Sequence, residues 1–244
     1  MRKVAIFTEG QGELIFVREL LFKIMGYEDL SIACFALRSE RFIDVPYKFG
    51  SPDSASIHFL IVNVGNDEKV LSAIAERETE LVNRGYDKII GLRDMYSNAY
   101  RKRATTVDQQ IIDAFKQAHD TTIQRMRHAD RIQLFFAIME LEAWFLSMYN
   151  LFQKLDSSLT CALIEEQMGF NLETVNPENA FFRPAKILAA LLNLAGISYD
   201  KSTGMMESLI NQIDTTDIDE AIENGRCNSF ARFYAALKTE KKSA

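Results

Sequence analysis

Cysteine and histidine are scarce in this sequence, and their scarcity excludes several kinds of site. The 244 residues include three cysteines, Cys34, Cys161 and Cys227, which are far apart and form no Cys-x-x-Cys pair. An odd and scattered set of this kind predicts buried free thiols in a reducing compartment, and not a disulfide framework. None of the three histidines has the spacing of metal ligands.

The sequence also lacks a long apolar run and an excess of positive charge. No stretch approaches the roughly 20 apolar residues that span a bilayer, and Arg2 and Lys3 lead directly into a short strand, unlike a signal peptide. We therefore expect a cytoplasmic protein without a membrane partner. The formal net charge of −6 argues against simple electrostatic coating of nucleic acid. A metal ion in an acidic site can still bring phosphate in.

Phosphate-binding glycine motifs and a nucleophile elbow are absent as well. Gly10-Gln11-Gly12 is too short for a P-loop, and Ile15 stands where the last glycine of a dinucleotide-binding motif belongs. The sequence contains no Gly-x-Ser-x-Gly elbow. These absences count against a nucleotide-binding α/β protein and against a serine hydrolase.

Strand and helix patterns alternate over the first 155 residues. Short apolar runs predict strands at residues 4–7, 30–37, 58–64, 88–92 and 131–138. Amphipathic segments predict helices that begin near residues 13, 68 and 107, the second of them capped by Asp67. This alternation predicts an α/β fold with a mostly parallel sheet flanked by helices. Residues 38–53 fit either a short hairpin or a loop.

From residue 156 onward the strand signals stop. Helical periodicity recurs in the segments 159–168, 184–195, 203–213, 218–224 and 227–238. We therefore predict an α/β domain over residues 1–155 and a helical subdomain, packed on it, over residues 156–244. The polar tail, residues 238–244, is predicted to fray.

Acidic residues follow three of the predicted strands. Glu9 comes after the first strand, Asp94 after the fourth, and Glu140 and Glu142 after the fifth. Parallel strands end at one edge of the sheet, where open α/β sheets bind ligands, so these carboxylates are expected to converge. Crowded carboxylates repel one another unless a cation lies between them, and oxygen ligands suit Mg²⁺ or Mn²⁺. Helix periodicity predicts that only one of Glu140 and Glu142 points inward.

A metal site of this composition performs phosphoryl-transfer or phosphodiester chemistry. Glu13 lies four residues after Glu9 and is either a metal ligand, a support for the ligands or a partner of the helix dipole. Several basic residues are candidates to hold a substrate phosphate by charge-assisted hydrogen bonds. They are Arg93, Arg101, Lys102, Arg103 and Lys201. For the run at residues 101–103, a solvated loop is the alternative interpretation.

Taken in order, several segments resemble a known family. Glu9-Gly10, with Glu13 and the apolar residues that follow, resembles the first motif of Toprim-like domains. The stretch from Ile89 to Asp94, followed by Tyr96, resembles the second motif. The run from Glu140 to Leu146 resembles the E-x-E-A signature of an uncharacterised bacterial family of Toprim-like proteins. Later blocks of that family are similar to Pro184, Tyr199-Asp200-Lys201 and Cys227-Asn228-Ser229-Phe230.

The resemblance implies a Toprim-like sheet that uses Glu and Asp to bind Mg²⁺, as in topoisomerases, primases and the overcoming-lysogenisation-defect nucleases. It implies a nuclease acting on DNA or RNA, with an ATPase partner in phage defence and with Glu9, Glu13, Asp94 and Glu142 as catalytic residues. The Toprim second motif is Asp-x-Asp, whereas Tyr96 stands here in place of the second aspartate. The alternative is therefore a catalytically degraded Toprim-like module that acts through a protein partner.

Overall fold

The apolar runs and amphipathic segments fold as strands and helices in a computed structural model. It describes residues 1–243, apart from the side chains of residues 67 and 239–243. The predicted cap at Asp67 rests on a side chain outside the described residues. Of the tail that is predicted to fray, the backbone is helical as far as Ser243, and residue 244 falls outside the described residues. The chain forms two compact units. The first contains residues 1–93, residues 110–136 and the described residues from 235 onward, and the second contains residues 94–109 and 137–234.

The predicted domain boundary after residue 155 stays a prediction. Compactness alone does not show which stretches of a chain fold independently, and that capacity is what defines a domain. The two units also differ from the predicted domains in that each is assembled from separate stretches of sequence.

The first unit is built on a six-stranded, mostly parallel sheet flanked by helices, so the predicted α/β class is confirmed. Its strands are β1 Arg2–Thr8, β2 Leu30–Arg38, β3 Arg41–Asp44, β4 Ile57–Asn63, β5 Lys88–Asp94 and β6 Ile132–Ala137. The order across the sheet is β3-β2-β4-β1-β5-β6. The strands β2, β4, β1 and β5 are parallel neighbours.

The segment after residue 38 forms a hairpin, which decides between the two alternatives left open by the sequence. Strand β3 pairs antiparallel with β2, and the pairing closes with Arg38 opposite Arg41. The two residues between them, Ser39 and Glu40, have φ values of 46° and 66°. Two consecutive positive φ angles are typical of the turns that match the twist of a two-residue hairpin.

Helices connect the strands and make up the C-terminal part of the chain. They are α1 Gln11–Met25, α2 Val70–Asn83, α3 Asn98–Arg101, α4 Gln109–Gln124, α5 Glu142–Ser147, α6 Asn150–Leu155, α7 Cys161–Met168, α8 Pro177–Ala180, α9 Pro184–Asn193, α10 Thr203–Gln212, α11 Thr215–Glu223 and α12 Asn228–Ser243. The helices α1, α2 and α4 begin within two residues of the predicted positions. Among the described residues, no helix has the length and apolar character needed to cross a membrane.

The core of the second unit forms around Trp144. Its indole ring lies 5.2 Å from the ring of Phe230 and 5.5 Å from that of Phe233, measured between ring centroids. The indole N–H donates a hydrogen bond to Ser229 Oγ at 2.8 Å. An aromatic cluster with its polar atom satisfied stabilises the packing of α5 against α12.

The three cysteines are free thiols, as predicted. Cys34 and Cys227 are buried, but Cys161, the first residue of α7, is partly exposed, so the prediction of burial is wrong for this residue. Burial raises the pKa of Cys34 to about 12, against a weaker opposing effect of Arg18. Cys34 is therefore a protonated and unreactive thiol at neutral pH.

Gly91 in β5 occupies a position at which the sheet has no room for a side chain. A Cβ atom there would lie 2.4 Å from Leu134 Cδ1, 3.0 Å from Ile74 Cδ1 and 3.1 Å from Val70 Cγ1. Replacing Gly91 by alanine is therefore expected to lower the free energy of unfolding by about 1–3 kcal/mol through overpacking. Urea unfolding followed by circular dichroism measures this change.

The matched control is Gly204→Ala in the first turn of α10, because a Cβ atom there meets nothing within 4 Å. Alanine is the better helix former by about 1 kcal/mol in a helix interior, so this control should be neutral or slightly stabilising. Equal unfolding midpoints for the two variants would contradict the close packing around Gly91.

Candidate functional site

Three of the predicted acidic residues come together in the second unit around the side chain of Lys201. We call Asp94, Glu140 and Glu142 the carboxylate cluster. The Lys201 ammonium lies 2.8 Å from Glu142 Oε1 and 3.7 Å from Glu140 Oε1. The negative charge of Asp94 also acts on Lys201. The cluster therefore has a positive charge among its three carboxylates.

The backbone after β5 and β6 positions the cluster. The N–H groups of Met95 and Tyr96 donate hydrogen bonds to the carbonyl oxygens of Ala137 and Met139, at 2.9 and 2.7 Å. Asp94 Oδ1 accepts the N–H of Leu141 at 3.0 Å, one residue before α5 begins. These bonds hold the end of β5 beside the turn that carries the other two carboxylates.

The prediction that only one of Glu140 and Glu142 points inward is wrong. It assumed that both residues lie on one helix. Glu142 is the first residue of α5, but Glu140 lies in the preceding turn, where Met139 has a φ of 65°. Helical periodicity does not relate two residues on opposite sides of a helix start, and both carboxylates lie within 4 Å of the Lys201 ammonium.

Glu142 is the most buried member of the cluster, with 1% of its side chain exposed. Its Oε1 atom accepts a hydrogen bond from the Tyr199 hydroxyl at 2.6 Å as well as the contact from Lys201. Its Oε2 atom is also buried and has no hydrogen-bond partner among the residues that the structure describes. Buried polar atoms normally have partners, so this oxygen marks a position where a cation or water would bind.

Glu140 interacts with the start of α9. Its Oε2 atom accepts the N–H of Ala185, in the first turn of that helix, at 2.9 Å. Burial raises the pKa of Glu140, and the neighbouring charge of Glu142 raises it further. The hydrogen bond from Ala185 and the charge of Lys201 only partly oppose this rise.

The ammonium group of Lys201 is held in its charged form. Burial lowers the pKa of Lys201, but the charges of Glu142, Asp94 and Glu140 together raise it above the ordinary value of a lysine. The side chain is 47% exposed, so part of it lies in solvent although its ammonium contacts the carboxylates. Lys201 itself has a φ of 56°, in the left-handed region.

Glu9 and Glu13 belong to the first unit. Glu9 directly follows β1, and the pairing of β1 with β5 ends with Thr8 opposite Leu92. Glu13 lies in the first turn of α1, where its carboxylate covers Gly10 so closely that a Cβ there would lie 2.8 Å from Oε2. The catalytic and metal-binding roles predicted for Glu9 and Glu13 stay predictions.

Arg93 lies in the first unit and is buried. Its Nη1 atom donates to Nε2 of His119 at 3.2 Å, and its guanidinium carbon lies 5.7 Å from the centroid of the Phe136 ring. His119 Nδ1 donates to the carbonyl of Phe115 at 2.7 Å, which leaves Nε2 as the acceptor. Burial lowers the pKa of His119, consistent with this neutral form. The role of Arg93 in holding phosphate stays a prediction.

The basic run and a second arginine lie near Tyr96 in the second unit. Arg101, Lys102 and Arg103 are exposed at the end of α3 and just after it. The guanidinium carbon of Arg101 lies 5.3 Å from the centroid of the Tyr96 ring, and that of Arg183 lies 6.0 Å from the same centroid. Sequence reasoning missed Arg183, whose only local signal is its position directly before Pro184.

The oxygen atoms of the carboxylate cluster are of the type that binds hard divalent cations. In the structure, however, these oxygens surround the ammonium group of Lys201. Among the described residues, no group of three or more His, Cys, Asp or Glu side chains is arranged to hold a metal ion. The oxygen donors of Asp94, Glu140 and Glu142 are nonetheless those that Mg²⁺ and Mn²⁺ prefer. The unpartnered Glu142 Oε2 provides a donor atom that no protein group uses.

Comparison with known proteins yields one match. The model of a family described as a domain of unknown function (DUF4276) matches residues 8–238. No curated protein and no solved structure matches the chain. The matched range contains the whole carboxylate cluster together with Tyr199 and Lys201.

Removing the positive charge from the cluster is expected to destabilise the protein. In Lys201→Met the buried carboxylate of Glu142 loses its cation, which costs about 1–3 kcal/mol once the partial exposure of Lys201 is taken into account. The double variant Lys201→Met with Glu142→Gln should recover part of this loss. Urea unfolding at neutral pH measures both changes, with Lys186→Met, an exposed lysine of α9, as the control. Equal stability of Lys201→Met and Lys186→Met would contradict the pairing of Lys201 with Glu142.

The pH dependence of stability tests the environment of Glu140. Its raised pKa means that the folded state binds more protons than the unfolded state, so this residue costs stability as pH rises through its folded pKa. In Glu140→Gln that cost is absent. The free energy of unfolding of the variant, minus that of the wild type, should therefore become more positive as pH rises from about 4, near the ordinary pKa of a glutamate. A difference that stays constant or falls, measured by urea titration with a chelator present, would contradict the raised pKa.

Proposed function

The chain belongs to the DUF4276 family, and because that description assigns no activity, we propose a function from the site itself. We propose that the protein is a metal-dependent nuclease of Toprim type, which hydrolyses phosphodiester bonds in DNA or RNA. The observation that carries the proposal is the carboxylate cluster, in which one buried oxygen of Glu142 has no hydrogen-bond partner among the described residues. The resemblance of this chain to Toprim-like motifs agrees with that assignment.

The residues of the cluster have distinct roles in this proposal. Asp94, Glu140 and Glu142 would hold a Mg²⁺ or Mn²⁺ ion, and the roles of Glu9 and Glu13 rest on the resemblance to the Toprim-like first motif alone. The ion supplies Lewis acidity and lowers the pKa of bound water. Tyr199 orients Glu142 through the hydrogen bond of its hydroxyl to Oε1, at 2.6 Å.

Lys201 has two successive roles. In the free protein its ammonium neutralises the carboxylates, at 2.8 Å from Glu142 Oε1. Because the side chain is partly exposed, its ammonium could leave the carboxylates if a divalent cation were bound there. It would then be available to contact a phosphate oxygen of the substrate and to stabilise the negative charge that develops there.

The partner and the cellular location are proposed from the resemblance and from the free thiols. The Toprim-like resemblance supports a role in phage defence together with an ATPase partner. The free thiols of Cys34, Cys161 and Cys227 support a reducing, cytoplasmic location.

The experiment measures cleavage of supercoiled plasmid, single-stranded DNA and RNA with Mg²⁺ or Mn²⁺. The variant Glu142→Gln is expected to lose activity by about 100-fold or more, because a neutral amide is a poor ligand for these ions. Asp94→Asn should behave similarly. Glu223→Gln, an exposed acid at the end of α11, is the matched control and should retain full activity. Equal activity in Glu142→Gln and wild type, or full activity in a chelator, would refute the proposal.

A second candidate function is a non-enzymatic module of the same fold that acts through a protein partner. The close contact of Lys201 with Glu142 favours it, because a lysine can replace a metal ion permanently as the counter-charge. Titration with Mn²⁺ in a calorimeter distinguishes the two. The nuclease should bind Mn²⁺ at millimolar concentration through the cluster, and Glu142→Gln should abolish binding. A non-enzymatic module should bind no Mn²⁺ as the wild type. It should bind Mn²⁺ only in the variant Lys201→Met, in which the lysine charge no longer occupies the cluster.

A further inference from the structure

A group of two exposed arginines and two partly exposed aromatic residues lies in the second unit, outside the carboxylate cluster. We call Tyr96, Arg101, Phe182 and Arg183 the arginine–tyrosine patch. The guanidinium carbons of Arg101 and Arg183 lie 5.3 and 6.0 Å from the Tyr96 ring centroid. The ring of Phe182 meets that of Tyr96 edge-on, with 5.2 Å between centroids. Four side chains from two distant parts of the sequence thus form one surface.

The two arginines of the patch carry charge that the protein does not neutralise. Arg101 donates a hydrogen bond to Oδ1 of Asn98, a neutral group. Among the described residues, neither Arg101 nor Arg183 forms an ion pair with a carboxylate. Both are exposed, and both lie over a single aromatic ring. Two like charges that share one ring repel each other unless an anion lies between them.

Two short chain segments connect the patch to the carboxylate cluster. Tyr96 follows Asp94 by two residues. Arg183 precedes Ala185 by two residues, and the Ala185 N–H donates to Glu140 Oε2 at 2.9 Å. Two residues of chain span about 7 Å at most. The backbone positions of Tyr96 and Arg183 are therefore close to those of Asp94 and Ala185, so the patch and the carboxylate cluster are carried on the same two chain segments.

We propose that the arginine–tyrosine patch holds the sugar–phosphate backbone of a single-stranded nucleic acid beside the carboxylate cluster. The planar guanidinium groups of Arg101 and Arg183 match a phosphate with paired hydrogen bonds. The rings of Tyr96 and Phe182 are partly exposed and provide apolar surface against which unpaired bases pack. This inference rests on the proposed function and names its substrate class. Tyr96, which replaces the second aspartate of the Toprim motif, thereby serves binding and not metal coordination.

The test measures binding in the absence of metal, so that no cleavage occurs. A fluorescent oligothymidylate of about 20 nucleotides is titrated with the full chain in a chelator, and anisotropy reports the dissociation constant. Arg183→Gln is expected to weaken binding by about tenfold, because a hydrogen bond to a charged group is lost. It should also reduce the slope of log affinity against log salt by about 0.7, the value of one phosphate contact on a single strand. Arg101→Gln should do the same.

The control is Lys186→Gln, which removes an exposed positive charge from α9, three residues after Arg183. This variant should bind as the wild type does, because its charge lies outside the patch. Arg183→Lys should recover the salt slope but only part of the affinity, since lysine keeps the charge and lacks the planar fork. Thermal unfolding checks that each variant folds.

The outcomes separate this inference from the proposed function. If Arg183→Gln binds the oligonucleotide as tightly as wild type does, the patch is overturned, whether or not the protein cleaves nucleic acid with metal. If both arginine variants weaken binding but the wild type cleaves nothing with Mg²⁺ or Mn²⁺, binding by the patch is supported and the nuclease function is refuted. Equal or tighter binding of a duplex of the same length would overturn the assignment to a single strand.

Discussion

The contact between the buried carboxylate of Glu142 and the Lys201 ammonium is the interaction on which the carboxylate cluster depends. Its Oε1 atom contacts both the Lys201 ammonium and the Tyr199 hydroxyl, at 2.8 and 2.6 Å, which ties the loop before α10 to the first residue of α5. An ionised carboxylate out of water is costly unless it is paired and hydrogen-bonded. The same arrangement leaves Oε2 without a partner among the described residues. One carboxylate oxygen of Glu142 therefore has two protein partners, and the other, Oε2, is the atom at which the proposed metal ion would bind.

A lysine ammonium and a divalent cation are alternative ways to balance the charge of the cluster. Burial lowers the pKa of Lys201, but the three carboxylates raise it more, so the ammonium keeps its charge at every physiological pH. Its side chain is partly exposed, and its ammonium is held by the contacts with Glu142 and Glu140. In the proposed nuclease a bound cation would take the place of these contacts, whereas in a binding module they would persist. One protein contact thus separates the two functions that the site supports.

Local sequence patterns predicted much of the fold because the buried face of each strand or helix requires apolar residues at regular positions along the chain. The apolar run Val4–Phe7 predicted the central strand β1, and acids placed directly after strands predicted Asp94, Glu140 and Glu142 as members of one site. The patterns failed where the backbone departs from regular structure. The positive φ of Met139 separates Glu140 from α5, so a rule based on helical periodicity gave the wrong orientation for the pair.

The sequence by itself determined the alternation of strands and helices, the sheet class and the carboxylates at the strand ends, because periodicity and turn chemistry act between residues close in the chain. Only the tertiary structure decided the partners of those carboxylates. It brought Lys201 and Tyr199 to Glu142, the start of α9 to Glu140, and Arg183 to the ring of Tyr96. These pairs lie far apart along the chain. Their contacts depend on how whole elements pack, and local patterns in one sequence carry no record of that packing.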